Sequence, residues 1–350
     1  MRIINFVIEI AMEPAVKAII YEAIVCYCTV RTIVCLVGNN YEKMRRTEGN
    51  VKFMHRIKNR IACVKDMEWD RIFLENSLSI NAAVVFVGSS YTLYGIDIKS
   101  DSTVLALPSQ DIYYSLKLIN NYISEHNIPH RIVLGLGYYA LYHDLSSVKS
   151  YDENVRIRDV YYPVVRDAHN LNLSDVREKY GWFNKLMQYY VRWQIKSKGI
   201  YDYFSDRDRE LRARKTWKDV NKKWSELTPD EKMEAANERV RGHELFFRHK
   251  NTLNENVLLL RRMFELSRMM NVELFIFIAP MSLCYLEAMS QEYRKKKDEL
   301  HDIAINFSDK FIDFNDKEYT FFDEDFVDAD HLSKLGAKKL GKYLKDEGFY

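Results

Sequence analysis

Two short stretches carry residue types that can together activate a hydroxyl: Gly88-Ser89-Ser90 and, far downstream, Asp328-Ala329-Asp330-His331. A serine is a poor nucleophile until a base within hydrogen-bond reach takes its proton. The base in turn needs an acceptor that fixes its tautomer and orientation. Taken alone, Gly-Ser-Ser reads as an ordinary strand-to-helix turn with a serine cap, and Asp-x-x-His as a surface helix start. Taken together they offer a serine of this turn as nucleophile, His331 as base and Asp328 as the acid that orients it. Three-residue spacing folds a carboxylate back beneath an imidazole, whereas the residue next to the histidine points elsewhere in most backbone conformations. Asp330 is therefore expected to act, if at all, through turn geometry.

The elements around these residues read as an open α/β sheet. Val84-Val85-Phe86-Val87 is a short buried strand that runs into Gly88. Further strands are expected at 104–107, 132–137, 272–279 and 311–314. Helices are expected between them: one from Ile112, capped by Ser109 or Asp111, one over 253–270, one over 286–305 and a last one from a Ser333 cap. Strand, helix, strand with short joints is the grammar of a parallel sheet. In such a sheet, ligands collect at the carboxyl ends of the strands. The expected fold is α/β, a three-layer α/β/α sandwich. Residues 150–250 interrupt it with a charged, aromatic, helical insertion in which Thr228 caps a helix opening at Pro229. That insertion reads as a solvated helical face, or else as a lid over an anionic or carbohydrate substrate. Residues 1–80 read as a small α/β unit compatible with a degenerate Rossmann-like half, and residues 81–350 as the main domain.

Composition narrows the classes. The chain has 350 residues, 47% of them apolar and 29% charged, with a net charge of +2. That balance fits a soluble globular protein and makes no case for bulk binding to nucleic acid. The five cysteines include no Cys-x-x-Cys pair, so zinc and a disulfide scaffold are poor readings. The apolar run 18–37 is broken by Glu22 and Arg31, which argues against a membrane span. No secretory signal is visible, so a cytoplasmic location is expected. Where a dinucleotide fold would carry Gly-x-Gly-x-x-Gly, Ala11-Met12-Glu13-Pro14 stands instead, which disfavours a nucleotide site.

Gly88-Ser89-Ser90 at the first sheet strand and Asp328-x-x-His331 ahead of the last helix resemble the SGNH (GDSL-like) hydrolase and acyltransferase superfamily. The run 325–333 with Gly336-Ala337 resembles its subgroup that modifies cell-surface polysaccharides. The resemblance covers roughly 81–145 and 250–345. It implies a flavodoxin-like sheet order and a Ser90, His331, Asp328 triad. It also implies an oxyanion hole built from the N–H groups of Ser90, of Ser109 at a position usually held by glycine, and of Gly137. The asparagine of the superfamily's third block is missing from Gly135-Leu136-Gly137-Tyr138-Tyr139. The activity so implied is a serine-dependent O-acyltransferase or esterase acting on a carbohydrate or acylated glycan. It requires no cofactor or metal and admits an acyl-CoA as soluble donor; a homo-oligomer stays open. The alternative is a non-catalytic glycan-binding or assembly protein on a decayed scaffold of the same kind.

Overall fold

Runs rich in β-branched and aromatic side chains favour pleated strands, and five such runs form one sheet, four of them buried almost throughout and the last only in part. The strands are β1 (Val84–Gly88), β2 (Ser102–Ala106), β3 (Arg131–Leu136), β4 (Glu273–Ile278) and β5 (Lys310–Asp313). The computed structural model describes residues 48–96, 101–125, 128–148, 150–176, 181–200, 222–316 and 318–350. The expected elements within 1–47, the apolar run 18–37 and the part of the charged, helical insertion over 201–221 lie outside the described residues.

All neighbouring strands pair in parallel, in the order β2-β1-β3-β4-β5. With its flanking helices the sheet makes a three-layer α/β/α sandwich, as the strand-helix alternation predicts. The order reverses at β1 and β3, which places a crevice at their carboxyl ends. Gly88 and Gly135 are register partners there. Gly88 has φ +143°, and a Cβ on it would overlap the Gly135 carbonyl, so only glycine fits the exit of β1.

The helices are α1 (Glu48–Leu78), α2 (Ser90–Gly95), α3 (Ile112–Glu125), α4 (Pro229–Glu244), α5 (Lys250–Met269), α6 (Leu283–Ala288), α7 (Gln291–Asn306) and α8 (Lys334–Asp346). Short helical turns and the helix Gly181–Lys198 complete the described residues. Asp111, not Ser109, caps α3: its Oδ1 accepts from the Tyr114 N–H at 2.8 Å. Thr228 and Glu231 form a capping box at α4. The single helix expected over 286–305 is two, because Ser290 caps α7 by accepting from the Tyr293 N–H at 3.1 Å.

The chain divides into two compact units, Met1–Trp69 with Arg177–Tyr203, and Asp70–Val176 with Phe204–Tyr350. The first holds Gly181–Lys198, whose Arg192 pairs with Glu68, and the indole N–H of Trp69 donates to the Ile200 carbonyl at 2.9 Å. The second holds the whole sheet.

Candidate active site

β1 ends at Gly88 and the chain turns at once into α2, so Ser90 is the first residue of a helix at the sheet's carboxyl edge. The backbone carbonyl of Ser89 receives the N–H groups of Thr92 and Leu93 at 3.0 and 3.1 Å. That fixes the turn and leaves the N–H of Ser90 at the open end of the helix, with no carbonyl one turn behind it. On the opposite side, residues 325–333 fold back on themselves. The Val327 N–H donates to the His331 carbonyl at 2.9 Å, and the Ser333 N–H to the Asp325 carbonyl at 2.8 Å. Ser333 caps α8 as its sequence position predicts, accepting from the Gly336 N–H at 3.2 Å. A Cβ on Gly336 would overlap the Asp325 carbonyl, so glycine is what lets α8 sit this close to the loop.

These two elements bring Ser90, His331 and Asp328 into one hydrogen-bonded line. Nε2 of His331 lies 2.9 Å from Oγ of Ser90, and its Nδ1 lies 3.0 and 3.1 Å from the two carboxylate oxygens of Asp328. Asp328 also accepts the backbone N–H groups of Asp330 at 3.0 Å and His331 at 2.8 Å. Burial opposes ionisation of Asp328. His331, Arg239 and the Asp330 N–H outweigh it and bring the Asp328 carboxyl down to about 2. An ionised carboxylate only accepts, so Nδ1 carries a proton and Nε2 is the ring nitrogen turned to the serine hydroxyl. All three side chains are buried, Ser90 being 5% exposed.

Asp330 does far more than shape a turn. Its carboxylate is buried and accepts from Nε of Arg239, 2.9 and 2.8 Å from its two oxygens, and from the Tyr91 hydroxyl at 2.7 Å. Burial works against the charge of Arg239, but the carboxylate of Asp330, with Tyr91 and Tyr139 beside it, holds the guanidinium well above its ordinary value. His243 stands 3.9 Å from the same carboxylate. Burial and the nearby guanidinium push it well below its ordinary value, so it stays neutral, with Nδ1 2.7 Å from the Tyr285 hydroxyl. The Tyr91 ring stacks on His331 at 5.5 Å, and Tyr94 meets the ring edge-on at 5.9 Å. Arg239 comes from α4, within the 150–250 insertion, whose contribution here is a largely covered cation paired to a buried acid.

A small cleft, with room for little more than a water molecule, opens at the switch point, lined by Gly88 and Ser89 of the first turn, Gln110 to Ile112 and Ser115 around α3, and Gly135 to Gly137 with Tyr139, Ala140 and His143 after β3; Ser90 and His331 lie beside it and are not part of its lining. Gly137 is among the lining residues. Ser109 does not line it, although its neighbour Gln110 does. Ser109 has φ +60°, a left-handed conformation that glycine adopts most readily, and its hydroxyl donates to Glu153 at 2.9 Å. Asp111 reaches the cleft with its pKa raised to about 6 by burial, against the N–H groups of Tyr114 and Leu145 that it accepts.

Among the described residues two groups of acids and a histidine are compact enough to compare with metal sites: Asp328, Asp330 and His331, and Asp111, Asp144 and His169. In the first, Arg239 already balances Asp330. In the second, the oxygens of Asp144 accept from Ser146 and Ser147, and those of Asp111 from backbone N–H groups. The donor chemistry of both sets is satisfied by protein hydrogen bonds. No helix among the described residues is long and apolar enough to cross a membrane. No protein-family model matches the chain, and no curated protein does either.

Proposed function

We propose that the protein is a serine-dependent O-acyltransferase or esterase acting on a carbohydrate, with an SGNH-like arrangement of its catalytic groups. The observation that carries this is the line from Ser90 Oγ to His331 Nε2 at 2.9 Å and from His331 Nδ1 to Asp328 at 3.0 Å. Oγ attacks the acyl carbonyl while Nε2 takes its proton. Collapse of the tetrahedral intermediate expels the leaving oxygen or sulfur, which receives that proton and leaves an acyl-Ser90. A sugar hydroxyl or water then attacks the acyl-enzyme. Nε2 takes the attacker's proton and returns it to Oγ. The carbohydrate acceptor, a surface polysaccharide or its precursor, rests on the likeness of residues 325–337 to the polysaccharide-modifying subgroup. An acyl-CoA is the soluble donor in keeping with it.

The test is active-site acylation. Incubation with p-nitrophenyl acetate or a fluorophosphonate is expected to modify Ser90 and no other serine, and Ser90→Ala to abolish it. Labelling that persists in that variant refutes the reading. Glycan binding on a scaffold without turnover is the second reading, favoured by the near-complete burial of Ser90 and His331. It predicts an unlabelled Ser90 together with glycan affinity.

A further inference from the structure

We propose that the hydroxyl of Ser89, the residue before the nucleophile, donates a hydrogen bond to the oxyanion that forms on the acyl carbonyl. The inference rests on the acyl-transfer reading above. Acyl transfer places negative charge on the carbonyl oxygen as the Ser90 Oγ–C bond forms and the C=O π pair moves onto oxygen. Fixed donors at that point supply much of the rate enhancement.

Ser89 Oγ is a buried hydroxyl, 9% exposed by residue, with no hydrogen-bond partner in the protein. Buried hydroxyls are nearly always paired, so an orphan needs a reason. Its position makes the lack of a partner more pointed. Ser89 is the N-cap of α2, where a serine ordinarily accepts an N–H from the first turn, yet its side chain makes no such bond. The first-turn N–H groups go to its backbone carbonyl instead. Ser89 is among the residues that line the cleft at the switch point. Its Cα stands about 3.8 Å from that of Ser90, as for any consecutive pair.

Two other polar side chains on the cleft are committed. Gln110 donates to the Leu105 carbonyl and Ser115 Oγ and accepts from Tyr161, while Ser115 donates to the Asp111 carbonyl. The end of β3 offers no side chain, because a Cβ on Gly137 would overlap the Tyr91 ring. That ring cannot swing aside without giving up its hydrogen bond to Asp330. A side chain at Gly137 is thus excluded by Tyr91, while the Ser89 hydroxyl is an unpartnered donor beside the same cleft. No proton changes hands in this step: the Ser89 O–H remains intact and points at the developing charge.

Ser89→Ala and Ser89→Thr test this, with Ser90→Ala as control. The readouts are kcat and KM on p-nitrophenyl acetate, the rate of fluorophosphonate labelling of Ser90, and Tm. Loss of one oxyanion donor is expected to lower kcat by about 100- to 1,000-fold. KM should change little, labelling should slow in parallel, and Ser89→Thr should recover part of the loss. Removing an unpaired buried hydroxyl should leave Tm unchanged or raise it. An unchanged kcat in Ser89→Ala, where Ser90→Ala is inactive, overturns the inference alone. A fall in Tm with equal loss from Ser89→Ala and Ser89→Thr also overturns it, assigning Ser89 a packing role. Full activity in Ser90→Ala overturns the acyl-transfer reading itself, and this inference with it.

Discussion

Replacing Arg239 with leucine leaves the Asp330 carboxylate buried without its counter-ion, and the cost can be bounded from both sides. The arginine Nε sits 2.9 and 2.8 Å from the two carboxylate oxygens, and the Asp330 side chain is wholly inaccessible to water. Removing one partner of such a pair costs about 3–5 kcal/mol. The upper bound comes from protonation, since an abandoned carboxylate can take up a proton rather than stay charged. At pH 7, holding a carboxyl with an ordinary pKa of about 3.9 in its neutral form costs about 1.36 × 3.1, or about 4 kcal/mol. At pH 5 the same bound falls to about 1.5 kcal/mol. Arg239→Leu should therefore lose about 3–4 kcal/mol at pH 7 and about half that or less at pH 5. Arg239→Leu with Asp330→Asn should recover much of the loss at pH 7. Urea unfolding followed by tryptophan fluorescence measures all four values. A loss below about 1 kcal/mol at pH 7, or one that does not shrink towards pH 5, would mean that Asp330 is not charged and paired as described.

Two further expectations concern acids and bases seen in the structure. Asp328 is held down to about 2 against an unfolded value of about 3.9. Its contribution is therefore present above about pH 4 and lost as pH falls towards 2. Asp328→Asn should flatten that part of an acid-denaturation curve, and should also slow Ser90 acylation, because an amide can stabilise the wrong imidazole tautomer. His169 lies 3.3 Å from Asp144 and 2.9 Å from Glu255. Burial opposes its charge, but these carboxylates raise it to about 9. A raised histidine stabilises fully below its unfolded value of about 6.5 and loses that contribution as pH rises through about 9. His169→Gln should remove the decline in unfolding free energy between those values, and a decline that persists would place its origin elsewhere.

The sheet and the serine-histidine-aspartate line were legible because each rests on local signals. Continuous apolar runs stop at glycine, and one carboxylate lies three residues before a histidine. Strand ends shifted by one or two residues, as with β2 at Ser102–Ala106 rather than 104–107, because periodicity does not mark where pairing begins. Arg239 was not legible. It sits in a helix so rich in charge that an exposed face was the natural reading, and only tertiary contacts make it a largely covered cation. A signal was nevertheless present. Lys232, Ala235, Ala236, Val240 and His243 are the buried positions of α4, and Arg239 lies on the same stripe as the last four at helical spacing. An arginine on a stripe of small apolar residues needs a buried acid, and the nearest candidate in the motif was the Asp330 assigned to turn geometry. Ser89 was read as part of a turn because nothing in a sequence tells a capping hydroxyl from an idle one.

The hydroxyl of Ser90 and the ring of His331 are 241 positions apart along the chain. At about 5–20 residues per second, a ribosome needs roughly 12–48 s to travel between them. Throughout that interval the nascent chain carries a serine with no base, and an Asp330 that could anchor Arg239 has not yet been made. Closing a loop of this length is entropically costly and is repaid only when its last contacts form, so the Ser90 turn waits on the final portion of the fold. On the acyl-transfer reading, the order of synthesis withholds the base from Ser90 until the last part of the chain is made.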